Sequence, residues 1–189
     1  MRAIARVYLM MAVALLAVGC KKGPKSPDEA FLKLERALAA GDGAAFYDTL
    51  DRATQKAVEG TWREQQLQRT IIQGKYPENE AGPALAKLAA ASADSPRTYF
   101  AAVAKERRLI ESYRKRLGSV SGTIAHKPDG DKAMYLARQD GGPFHFVQGS
   151  DGVWGFSELA NEWASEQERA SHAVKTVREN AQLYQKAGN

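Results

Sequence analysis

Apolar residues recur at helical spacing through the first half of the chain. Phe31, Leu34 and Leu38 follow Ser26-Pro27-Asp28-Glu29, where the serine can cap, the proline suits the first helical position and Glu29 can reach back as a capping box. Gly41 suits a left-handed stop. Asp42 opens a second predicted helix carrying Phe46, Leu50, Ala53 and Ala57 and ending at Gly60. Thr61 with Glu64 opens a third, carrying Leu67 and Ile71 as far as Gly74. Trp62 reads as a packed aromatic. The run from Lys75 to Gly82 has loop chemistry, and Ala84 to Ala93 is an alanine-rich helix. Ser95-Pro96 then repeats the cap-and-proline device and opens a long predicted helix from Pro96 to Leu117, stopped by Gly118.

From Ser119 the period changes from helical to alternating. Val120 to Ala125 and Ala133 to Arg138 are two predicted strands joined by the turn Pro128-Asp129-Gly130-Asp131. Phe144 to Val147 is a third, and Gly149-Ser150-Asp151-Gly152 turns it into a fourth, Val153 to Phe156. Side chains alternate along a strand, so Met134 and Leu136 share a face, as do Phe144 and Phe146. Such a sheet needs a cover on its apolar side, and the upstream helices supply it. Ser157 caps a last helix to about Ala187, striped by Leu159, Trp163, Ala170, Val174, Val177, Ala181 and Tyr184. A helix of that length overhangs the sheet, and its distal half is expected to fold back onto the helices. The alternative is self-association or a partner helix through Val174, Val177, Ala181 and Tyr184. The predicted fold is α+β: several N-terminal helices packed on a four-stranded antiparallel meander, with a long C-terminal helix.

Charge changes the picture less than the overall excess of +5 suggests. Of the 27 Lys and Arg, Arg2 and Arg6 lie at the extreme N-terminus and Lys21, Lys22 and Lys25 in a short basic segment. The 22 that remain balance 22 Asp and Glu. A neutral folded part lacks the basic footprint that nucleic-acid binding needs, so nucleic acid is not an expected partner. The stretch from Pro96 to Leu117 is locally basic through Arg97, Lys105, Arg107, Arg108, Arg114, Lys115 and Arg116. It reads as a solvated face, with anionic lipid or an acidic protein surface as the functional alternative.

The N-terminus carries the most specific signal. Arg2 and Arg6 precede an apolar run from Val7 to Val18, too short for a comfortable membrane span, and Ala17-Val18-Gly19 place small side chains before Cys20, the only cysteine. Ala17, Val18, Gly19 and Cys20 resemble the lipobox of bacterial lipoproteins, with Ala17 where that family usually has Leu. The resemblance implies cleavage after residue 19, lipidation of Cys20 and a membrane partner held through N-terminal acyl chains. Residues 1–19 are then the signal peptide, 20–25 the lipidated Cys and tether, and 26–189 a single α+β domain. If the source is Gram-negative, Lys21 in place of a retention Asp looks like an outer-membrane signal. From Cys20 to Ser26 the tether spans at most about 20 Å, and with the thiol acylated no disulfide can form.

Candidate chemistry is sparse. His126, His145 and His172 show no metal-ligand spacing, and no HExxH, GxSxG or glycine-rich phosphate loop occurs. No cofactor and no catalytic residue is predicted. Asp42, Asp48 and Asp51 suit capping, and His126 a surface position. Two portions, Ser26 to Phe31 with Ala39-Ala40-Gly41-Asp42, and Gly149-Ser150-Asp151-Gly152-Val153-Trp154-Gly155-Phe156, resemble the NTF2-like superfamily in its small lipoprotein form. That resemblance implies paired N-terminal helices folded against a curved sheet. The helical stretch from Thr61 to Leu117 and the long last helix depart from it. The expected role is non-catalytic binding or assembly in the envelope, with an envelope protein as a possible partner. The alternative is a small-molecule carrier or enzyme with a pocket between sheet and helices, lined by Tyr135 or His145.

Overall fold

The computed structural model describes residues 23–119 and 122–187. Its elements are α1 (Pro27–Ala40), α2 (Gly43–Tyr47), α3 (Arg52–Lys75), α4 (Glu78–Ala86), a 3-10 turn (Ala89–Ser92), α5 (Pro96–Glu106), α6 (Leu109–Arg116), β1 (Ile124–Pro128), β2 (Ala133–Arg138), β3 (Phe144–Gln148), β4 (Trp154–Phe156) and α7 (Ala160–Ala187). The fold is α+β, with the four strands in the antiparallel order β1-β2-β3-β4. The predicted signal peptide and Cys20 lie outside the described residues, as does Val120 at the predicted start of the first strand.

The first helix forms as its caps dictate. The Ser26 side chain accepts from the Glu29 N–H, Pro27 opens the helix, and Gly41 ends it at φ 68°. Asp42 then caps α2 through the N–H groups of Ala44 and Ala45. The predicted second helix does not run on to Gly60. Thr49-Leu50-Asp51 is instead drawn onto the edge of β4: the Phe156 N–H donates to the Thr49 carbonyl at 2.8 Å and the Asp51 N–H to the Phe156 carbonyl at 2.9 Å. The Asp51 carboxylate accepts from the N–H groups of Ala53 and Thr54 and so starts a new helix. Gly60 and Thr61 consequently fall inside α3. A Cβ on Gly60 would stand 2.4 Å from the Gln167 side chain of α7, so this glycine faces α7 from within the helix where the sequence suggested a stop.

Two more helices differ from expectation. The helix expected from Ala84 to Ala93 is instead α4, which begins at Glu78, before Pro83, and ends at Ala86, followed by the 3-10 turn Ala89–Ser92. The long helix from Pro96 is broken at Arg108, which adopts φ 54°. The break divides the labour. Arg107, at the end of α5, reaches Glu162 and Glu166 of α7 at 2.7 and 2.8 Å, while α6 carries Tyr113 to Phe46 and Phe156 with ring centroids 5.7 and 5.3 Å away.

In the sheet, the Asp129 N–H donates to the Ala133 carbonyl at 2.9 Å, and Gly130 turns the chain at φ 85°. This closure sets the register from Pro128↔Met134 to Ile124↔Arg138, which places β1 nearer the turn than its alternation suggested. All six phenylalanines of the chain are fully buried in one core between the helices and the inner sheet face. Each contributes roughly 1.5–3 kcal/mol by burial.

The last helix starts at Ala160 instead of directly after Ser157, because Ser157 is committed to β3: its N–H donates to the His145 carbonyl at 3.0 Å. Its distal half folds back along α3, as expected. Gln68 donates to the Ala170 carbonyl at 3.0 Å, Tyr76 donates to the Val177 carbonyl at 3.3 Å, and the Tyr76 and Tyr184 rings meet at 4.9 Å. Among the described residues no helix is long and apolar enough to cross a membrane.

Candidate functional site

The space between helices and sheet, where a carrier pocket would sit, is occupied. Phe31, Phe144, Phe146 and Phe156 fill it with centroids 5.8 to 6.1 Å apart, and Tyr113, Phe46, Phe100 and Trp163 continue the aromatic packing. Tyr135 and His145 do not line this interface. They pair across β2 and β3 on the opposite face, half-buried, with ring centroids 4.5 Å apart. The reason is strand alternation: Leu136, Phe144 and Phe146 take the inner face, so their neighbours must take the outer one.

The outer face gathers a cluster of polar side chains. His145 Nδ1 lies 2.7 Å from Ser157 Oγ, and Nε2 lies 3.1 Å from Asp129 Oδ2. The Ser157 hydroxyl also reaches the carbonyl of His145 itself, at 3.2 Å, and Glu158 accepts the His145 N–H at 3.0 Å. The cluster ties the β1–β2 turn to the junction between β4 and α7. The adjacent hollow of about 220 Å³ is lined by Ala125, Tyr135, Ala137 and Pro143 among others and is almost wholly apolar. Among the described residues no three His, Cys, Asp or Glu side chains converge to hold a metal.

A second, polar cleft of about 400 Å³ lies beside the N-terminal segment. Gly23 and Pro24 form one wall, Lys33 comes from α1, Asp48, Asp51, Arg52 and Gln55 from the α2–α3 connection and the start of α3, and Val153-Trp154-Gly155 from β4. The wall is fixed, since the Trp154 N–H donates to the Pro24 carbonyl at 3.0 Å. The segment predicted as tether is thus already part of the domain by Pro24. Gly155 is required here, because a Cβ would stand 2.5 Å from the Asp51 Cα.

The remaining predicted residues are accounted for by packing and pairing. Val174 and Ala181 are buried, at 5% and 1% exposure, and Val177 and Tyr184 are half-buried, along the seam with α3. Three arginines of the basic stretch are spent internally: Arg97 on Asp48, Arg107 on Glu162 and Glu166, and Arg116 on Glu158. Burial alone would raise the Glu166 carboxyl, but Arg107 and Arg169 bring it below the usual range. His126 pairs with Asp28 at 2.8 Å, and His172 is exposed near Glu168.

Sequence reasoning missed both the polar cleft and the meeting of His145 with Ser157. The second was within reach, because counting outward from the Gly149–Gly152 turn gives Phe146↔Phe156 and sets Ser157 beside His145. The cleft was not, since it joins residues from three separate elements. No protein-family model, curated protein or solved structure matches the chain.

Proposed function

We propose that this chain is an envelope lipoprotein, acylated at Cys20 after removal of residues 1–19, whose domain acts by binding or assembly and not by catalysis. The observation that carries this reading is the run Ala17-Val18-Gly19-Cys20 at the end of a short apolar segment, followed within four residues by Pro24, whose carbonyl is bonded to β4. Four residues reach at most about 14 Å, so an acylated Cys20 holds the domain against its bilayer. One acyl chain gives only marginal attachment, and the several chains of a lipidated N-terminal cysteine would make it stable. The filled interface between helices and sheet favours a binding surface over the NTF2-like carrier alternative, which needs that space open.

The test is the intact mass of the mature chain with partition in a phase-separating detergent. The expected polypeptide begins at Cys20, carries added fatty-acyl mass and enters the detergent phase, and Cys20→Ser abolishes all three. A native chain with an unmodified thiol that stays in the aqueous phase would overturn the proposal.

A further inference from the structure

The polar cleft beside Pro24 contains two cations whose hydrogen-bonding capacity is mostly unspent. An ammonium has three donors, and Lys33 uses one, to the Asp48 carbonyl at 2.8 Å. A guanidinium has five, and Arg52 uses two, to Asp151 at 3.4 Å and Gln55 at 3.2 Å. The carboxylates in the same cleft are engaged elsewhere. Asp48 accepts three contacts from Arg97 at 2.9 to 3.1 Å, and Asp51 accepts from the N–H groups of Ala53 and Thr54 and from the Thr54 hydroxyl. Formal charge along the cleft wall balances, Lys33 and Arg52 against Asp48 and Asp51, but each of these carboxylates already accepts three bonds, so the cleft offers more unspent donors than unspent acceptors.

We propose that this cleft is a phosphate-binding site, with Lys33 and Arg52 as its ligands, and that it takes the headgroup of an anionic phospholipid. A guanidinium fork and a mobile ammonium together suit the several oxygens of a phosphodiester. Val153 and Trp154 provide an apolar wall for the glycerol carbons. The lipid as source rests on the mooring at Cys20, because Gly23 and Pro24 wall the cleft and the chain from Cys20 to Pro24 spans at most about 14 Å. Phosphate recognition itself does not depend on the mooring.

The experiment titrates the full chain carrying Cys20→Ser with glycerophosphoglycerol, glycerophosphocholine and inorganic phosphate by calorimetry. Without the thiol no acylation occurs, so failure of the mooring and failure of the site are read separately. Glycerophosphoglycerol is expected to bind, and the Lys33→Gln/Arg52→Gln double variant to weaken it by about tenfold or more, the loss expected for charge-assisted hydrogen bonds. Lys56→Gln, an exposed cation on α3 outside the cleft, is expected to leave binding unchanged, with all variants melting as the parent does. Absence of binding, or an equal loss with Lys56→Gln, overturns the site. Binding of inorganic phosphate without glycerophosphoglycerol, or equal affinity for glycerophosphocholine, overturns the assignment to an anionic headgroup.

Discussion

Glu35 of α1 and Arg138 of β2 form a two-bond ion pair, Nε to Oε1 at 3.1 Å and Nη2 to Oε2 at 2.9 Å, with both side chains over nine-tenths buried. Arg138 also donates to the Gly122 carbonyl and lies over the Phe31 ring at 5.8 Å. A helix and a strand 103 residues apart are thereby locked in one alignment at the margin of the aromatic core. Removing one partner strands the other in a low-dielectric setting. Glu35→Gln is expected to cost about 3–5 kcal/mol, while replacing both members with Leu and Met is expected to recover most of the loss. Urea denaturation of the two variants checks this, and similar stability for both would refute it.

Two glycines inside regular structure predict opposite outcomes. Gly155→Ala drives a Cβ into the backbone of Asp51, which cannot move without opening the β4 edge, so a loss of about 3 kcal/mol is expected. Gly60→Ala meets only the flexible end of Gln167 and gains about 1 kcal/mol of helix propensity. Its melting temperature should remain near that of the parent, whereas that of Gly155→Ala should fall by several degrees.

Alkali provides a separate probe of the core. Burial, reinforced by Glu166 for Tyr99 and by Glu158 for Tyr113, raises both phenols from 10.0 to about 12. Both groups remain protonated in the fold while they ionise in the unfolded chain. Their contribution is complete below pH 10 and is lost as the pH rises toward 12, each phenol lowering the folding constant about tenfold per pH unit within that window. Tyr99→Phe/Tyr113→Phe is expected to flatten the decline in stability measured between those limits. An unchanged slope would remove the tyrosines as its cause.

The seam between α3 and α7 is internal to one chain, with Val174 and Ala181 at its centre. Val174→Asp buries an unpaired carboxylate there and is expected to cost about 3 kcal/mol or more. Because the partner helix belongs to the same molecule, the denaturation midpoint should not vary with protein concentration. A midpoint that rises with concentration would move the stripe to an interface between copies.

Wherever local chemistry decided the outcome, it was legible in the residues. The Ser26-Pro27 start and the Gly41 stop, strand β2 to the residue, and the inward aromatics of β3 all follow from caps and alternation. The misreadings share a cause: a distant element claimed the backbone or removed a stop. β4 captured Thr49-Leu50-Asp51 and ended α2 early, Gln167 of α7 made Gly60 a contact, and Glu162 and Glu166 claimed Arg107 just before Arg108 turns the chain. The polar cleft was invisible for the same reason, since Lys33, Arg52 and Trp154 approach one another only after folding.

The bond between Pro24 and Trp154 has a mechanical corollary. Tension arriving from upstream of Gly23 enters the protein at β4, a short strand braced on the same border by Thr49 and Asp51 and on the other by β3. A pull along that segment is therefore borne by the hydrogen-bonded ladder and not by a yielding loop, so peeling Pro24 away is the first step by which such a load would begin to open the domain.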